Sequence, residues 1–229
     1  MTCRAVIFDL FGTLVENFTA AQYAEMLAGM ADAVGVPREA FARLWSDTAF
    51  ARNVGEFATA EENIAYICHT LGVAAPNEHI RAAAELRWQA IRTIAQPRAD
   101  AAGTLAQLKA RGIRLGLISD CGAEGPRLWA ELPFAGLIDV PIFSCVAGVK
   151  KPDPRIYRLA CTTLGVEPAE CLYVGDGGSH ELTGASRLGM RAVLLRVPWD
   201  HLLMDGRPDA CEWRGAVIST LHEVLALLA

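Results

Sequence analysis

RAVIFDLFGTL, residues 4–14, is the stretch whose reading decides the fold. It opens as a β-branched and aromatic apolar run, stops at an acid, and meets the turn-prone Gly12 three residues later. The reading is a buried strand over 4–9 with Asp9 at its C-terminal end. Outward from it the pattern changes. FTAAQYAEMLAGMADAVG (18–35), PREAFARLWSDTAFAR (37–52), TAEENIAYICHTLG (59–72) and NEHIRAAAELRWQAIRTIA (77–95) carry apolar residues at three- and four-residue spacing, punctuated by Pro37, Gly55, Gly72 and Pro76. That spacing predicts an all-helical block. After Pro97 strands and helices alternate. Strands are expected at 113–119, 140–144, 171–176 and 191–197; helices at 101–112, 126–132, 153–165, 181–189 and, over VISTLHEVLALL, 217–228. Such alternation implies an α/β fold with a doubly wound, Rossmann-like parallel sheet. The expected organisation is a core made of 1–15 and 97–229, with a helical domain inserted over 16–96.

Composition narrows the function classes. The 229 residues carry 21 Lys+Arg against 26 Asp+Glu, a formal charge of −5, and only three of those cations are lysines: Lys109, Lys150 and Lys151. A net negative chain without a cationic run is a poor match for nucleic acid or an anionic membrane surface. No apolar run approaches the ~20 residues of a spanning helix, and MTCRAVIFDL has neither the basic opening nor the apolar length of a signal peptide, so a cytoplasmic protein is expected. Seven scattered cysteines without a C-x-x-C suggest neither a disulfide framework nor a zinc knuckle. The expected partner is a small-molecule substrate, and the chain a monomer or homodimer.

In a doubly wound sheet ligands bind beyond the carboxyl ends of the strands. Four such ends carry polar groups directly after an apolar run: Asp9, Ser119–Asp120, Ser144 with its loop to Lys150–Lys151, and Gly175–Asp176. The motifs around them, FDLFGTL (8–14), LISD (117–120), GVKKPDPRIY (148–157) and YVGDGGSHELTGA (173–185), resemble the four ordered motifs of the haloacid dehalogenase superfamily. The inserted helical block sits where that superfamily has its cap. The resemblance covers the whole chain.

It implies a catalytic set of Asp9, Thr13, Ser119 and Lys151. Asp9 would be the nucleophile that forms a covalent aspartyl intermediate. A Mg²⁺ held by Asp9, the backbone carbonyl of Phe11, Asp176 and Glu181 would offset charge repulsion with a phosphate. Ser119 and Lys151 would hold phosphoryl oxygens, with Thr13, Gly12, Phe11 and Asp120 completing the substrate cradle. Glu181 has a second reading, because an acid in the first turn of a helix is favoured by the dipole whether or not a metal is near. Asp120, where the family often has Asn, can equally cap the following turn.

Phe11 departs from the family. Its phosphatases have a second Asp there, which protonates the leaving group. The phosphonatase branch, which needs a cap lysine, is excluded because residues 18–95 contain none. The 2-haloacid dehalogenases need no metal, but they lack the fourth-motif carboxylate, and retaining Asp176 and Glu181 beside Asp9 would leave several acids without a counter-ion. The expected function is therefore a Mg²⁺-dependent phosphatase on a small phosphorylated metabolite, one that either acts on good leaving groups or is slow on simple esters. A metal-independent 2-haloacid dehalogenase, and a low-activity binding module that keeps the cradle, are the alternatives. Arg43 and Arg52 are candidates to face the cleft, whereas the cap aromatics, Tyr23, Trp45 and Trp88 among them, read as cap core.

Overall fold

The computed structural model describes residues 3–196 and 207–228; Val197, the end of one expected strand, lies outside them, as do Met1 and Thr2. Among the described residues six strands form one sheet: β1 (Ala5–Phe8), β2 (Arg114–Ser119), β3 (Val140–Phe143), β4 (Cys171–Gly175), β5 (Arg191–Leu195) and β6 (Ala216–Ile218). The order is β3-β2-β1-β4-β5-β6 and every pairing is parallel. β1 and β4 are buried at every position, as a strand covered on both faces must be. Within β1 the two faces alternate: Val6 and Phe8 join one apolar cluster, Ala5 and Ile7 the other.

Between β1 and β2 the chain forms α1 (Ala20–Val34), α2 (Arg38–Asp47), α3 (Ala49–Asn53), α4 (Ala60–Thr70) and α5 (Asn77–Ile94), followed by α6 (Ala101–Ala110) of the sheet layer. Thr19 and Gln22 form a capping box at the start of α1, and Gly35 ends it in the left-handed conformation. The connections into and out of α1–α5 run side by side: Val15 bridges Pro97, and Glu16 N donates to Gln96 O at 2.8 Å. The cluster holding Val6 and Phe8 continues into Met30, Phe41 and Trp45 of the inserted helices. Later in the chain come α7 (Glu124–Trp129), α8 (Ser144–Ala147), α9 (Pro154–Leu164), α10 (Glu181–Arg187) and α11 (Pro208–Glu212). Among the described residues no helix is long and apolar enough to cross a membrane.

Ser144, read as the end of a strand, starts α8, α11 was not anticipated, and the end of the chain differs most from its sequence reading. The helix expected over 217–228 is absent. Val217 and Ile218 belong to β6, paired with Leu194 and Leu195, and a 3-10 helix occupies Leu221–Leu225. The exposed edge of β5 recruits the β-branched pair, and Thr220 and Glu223 then close a capping box that starts a new, tighter turn.

The strand order reverses between β1 and β4. That switch point places the carboxyl ends of these two strands at the crevice of the sheet.

Candidate active site

Asp9 follows β1 directly, its backbone N–H donating to Val174 O at 2.9 Å, so the parallel register puts it beside the end of β4. Asp176 follows β4. Gly12, at φ +82°, makes this meeting possible, since a Cβ there would overlap Asp176 Oδ2. The chain then turns through Gly177 (φ +91°) and through two non-glycine residues in left-handed backbone, Ser179 (φ 53°) and His180 (φ 52°). This strained turn brings the first residue of α10, Glu181, back under the site.

Lys151, 3 % exposed, joins the acids. Its Nζ donates to Asp9 Oδ1 and to Glu181 Oε2, both at 2.6 Å. Glu181 also accepts from Tyr173 OH at 2.8 Å and from Gly177 N at 3.0 Å. Oxygens of Asp9, Asp176 and Glu181 lie within 4.8 Å of one another. Burial, reinforced by Asp176, pushes the Asp9 carboxyl up to about 6 against the pull of Lys151. Burial and the same neighbouring acids raise Glu181 well above the ordinary carboxylate range. Lys151 would lose affinity for its proton through burial, but Asp9 and Glu181 outweigh that and hold it well above its usual value.

A cavity of about 680 Å³ opens over these groups, lined by Asp9, Phe11, Asp120, Lys151 and Asp176 from the sheet side. Gly12, Thr13, Ser119 and Glu181 do not line it. Ser119 and Thr13 are fully buried, and their hydroxyls, like Asp9 Oδ2, make no hydrogen bond among the described residues. Asp120 does not cap its own turn. It accepts from Lys151 N at 3.0 Å and pairs with Lys150 at 3.1 Å, tying the lysine loop to the end of β2. Glu181 is in the first turn of α10, as read, and is fully buried against Lys151.

The opposite wall comes from the inserted helices: Tyr23, Leu27, Arg38 and Glu39 face the cavity. Arg52 does not. It is buried among α2–α4, donating to Trp45 O at 3.0 Å and Asn63 Oδ1 at 2.7 Å. Arg43 is not among the lining residues either. Tyr23, read from the sequence as core, instead forms part of the wall.

Sequence reasoning missed Arg207. Its Nε lies 2.8 Å from Asp176 Oδ2, both groups are nearly fully buried, and the residue lines the cavity. It stands in DGRPDA, which has neither strand nor helix period; the available signal was charge, four acids (Asp9, Asp120, Asp176 and Glu181) meeting two lysines at one sheet edge. Its presence corrects an argument made from sequence, because Asp176 does have a counter-ion from the chain itself.

Comparison with known proteins agrees with this geometry. The family model of the haloacid dehalogenase-like hydrolases matches residues 3–189. The (S)-2-haloacid dehalogenase 4A of Burkholderia cepacia is 29 % identical over 99 % of this chain and 95 % of its own. The phosphoglycolate phosphatase of Rhodospirillum rubrum is 35 % identical over 84 % of this chain and 79 % of its own. In fold, a 2-haloacid dehalogenase from Pseudomonas syringae pv. Tomato superposes with a TM-score of 0.70 at 22 % identity, covering 99 % of this chain and 98 % of that one. A phosphatase from Thermococcus onnurineus gives 0.68 at 22 % identity, with the same coverage. With the ordered motifs meeting at one switch point and the family match running from β1 past α10, the chain belongs to the haloacid dehalogenase-like hydrolases.

Proposed function

We propose that this hydrolase is a phosphatase that uses a divalent cation and acts through Asp9 on small substrates with good leaving groups, the inserted helices serving as its cap. The observation that carries this reading is the trio of buried carboxylates, Asp9, Asp176 and Glu181, with oxygens within 4.8 Å. A hard-oxygen donor set of that kind suits Mg²⁺, and Asp9 Oδ2, buried without a hydrogen-bond partner among the described residues, is an oxygen left for it. Asp9 and Asp176, with the Phe11 carbonyl, would hold the ion, and Glu181 would support them through Lys151. When bound, Mg²⁺ supplies positive charge that screens the attacking carboxylate from the phosphoryl group.

The chain's own residues do the remainder. Asp9 attacks phosphorus, forming an aspartyl O–P bond as the bond to the leaving group breaks, and water later cleaves the acyl phosphate. Lys151, held between Asp9 and Glu181, fixes the rotamer of the nucleophile and carries charge toward the phosphoryl oxygens; Ser119 has a hydroxyl to give them. Phe11 has no proton to donate, so the leaving group has to depart as a stable anion, as in acyl phosphates and anhydrides.

A second reading, metal-independent dehalogenation of a 2-halo acid, is favoured by Arg207. By neutralising Asp176 it removes the charge objection raised from the sequence. A paired assay separates the two. Phosphate release from acetyl phosphate and p-nitrophenyl phosphate is measured with Mg²⁺ or chelator, beside halide release from a 2-chloro acid. Chelator-sensitive release, faster from acetyl phosphate, is expected; chelator-resistant halide release would overturn the proposal.

A further inference from the structure

Arg207 reaches the site on a segment that is firmly docked. Asp209 N donates to Gly177 O at 3.1 Å, and the Asp209 carboxylate accepts from Leu182 N at 2.8 Å, Thr183 N at 2.9 Å and Thr183 Oγ1 at 2.6 Å. On the other side Arg196 Nη2 donates to Ala210 O at 2.6 Å. The segment lies so close over the fourth-motif turn that a Cβ on Gly177 would fall 2.7 Å from Ala210 N. The guanidinium is thereby delivered between the two motifs that meet at the switch point: its Nε is on Asp176 Oδ2, and its Nη2 is 3.0 Å from where a Cβ on Gly12 would stand.

Asp176 has little left to offer a metal in this arrangement. Oδ1 accepts from Gly178 N at 2.9 Å and Oδ2 faces Arg207. A doubly charged ion in contact with either oxygen would stand a few ångströms from the guanidinium in a buried site, where like charges repel strongly. We infer that Arg207 is an internal counter-ion for Asp176 that a divalent cation has to displace, so the chain itself offsets part of the site's negative charge and its metal affinity is set low by a residue outside the four motifs. This rests on the metal-dependent reading above.

The test measures metal binding itself. Mg²⁺ and Mn²⁺ are titrated calorimetrically into the full chain and into R207M, R207Q and R207K, with thermal melting in chelator and in excess Mg²⁺. Removing the charge in R207M or R207Q is expected to tighten binding by roughly tenfold or more, the scale on which groups behind metal ligands act. R207K is expected to stay near the wild type. Both neutral variants should melt lower than the wild type in chelator and recover in Mg²⁺, which also identifies a variant that folds only when loaded. Neutral variants binding no tighter than a wild type that does bind would overturn the inference and leave the metal reading standing. Tighter binding by R207K as well would overturn it too, since charge would not be the cause. Absence of binding in every protein would overturn both. Tighter binding without chelator-sensitive phosphate release would uphold the inference while the phosphatase reading fails.

Discussion

Asp9 is held in a state that favours chemistry over stability. A carboxyl whose pKa rises on folding binds its proton more tightly in the native state, so this group adds stability as pH falls from about 6 toward 3.8 and withdraws it above that window. Replacing it by the uncharged, isosteric Asn removes the cost of the buried ion. Asp9→Asn is expected to abolish turnover and, in chelator at pH 7.5, to raise stability by about 2 kcal/mol in denaturant titrations. Retained turnover would rule out Asp9 as nucleophile, and a loss of stability would rule out the strained ion. Phe11 makes the complementary case. Phe11→Asp restores a proton donor, and kcat/KM on an alkyl phosphate is expected to rise by about a hundredfold relative to that on acetyl phosphate. Asp9 and Asp176 were legible in the sequence because each directly follows an apolar strand, and Lys151 through the motif it stands in; the partners of Asp120 and the inward turn of Glu181 were not, because they depend on a lysine 31 and 30 positions away.

At the scale of elements, glycines decide which segments touch. Gly177 allows the 207–212 segment to lie on the turn after β4, at φ +91° and with Ala210 N 2.7 Å from where a Cβ would stand. Gly177→Ala is expected to cost about 2 kcal/mol in chemical denaturation, combining left-handed backbone with displacement of the segment. The close approach that requires this glycine comes from residues with no regular period of their own, which is why the sequence did not show it. The end of the chain was misread for a related reason. Periodicity over 217–228 fits a helix, but the decision was made by β5, whose open edge lies over twenty residues earlier in the sequence, and by Asp100, which accepts from Leu221 N at 2.8 Å and pins the 3-10 turn to the start of α6. By contrast, α1–α5 needed no distant partner to be recognised, because their apolar stripes and caps are local.

Across the whole molecule, the inserted helices are fastened to the sheet layer away from the cavity. Arg87 of α5 pairs with Glu124 of α7, both side chains only 11 % exposed, and the Arg127 guanidinium stacks 3.8 Å from the Trp88 ring centroid. The pair holds Glu124 below its ordinary range against the effect of burial. Arg87→Met leaves that carboxylate buried without its partner, and a loss of about 3 kcal/mol in thermal or denaturant unfolding is expected. Adding Glu124→Leu should recover most of it; two additive losses would mean the residues act independently. The same clamp reaches the cavity. Trp45 is buried, with the Arg52 guanidinium 4.0 Å and that of Arg87 4.8 Å from its ring centroid; it donates its indole N–H to Tyr23 OH at 3.1 Å, and Tyr23 stands in the cavity wall. A molecule that enters and touches Tyr23 therefore pulls on the polar end of an indole flanked by two cations. With the other four tryptophans replaced by Phe, the emission of Trp45 is expected to shift when a ligand fills the cavity, and an unchanged spectrum would rule the link out.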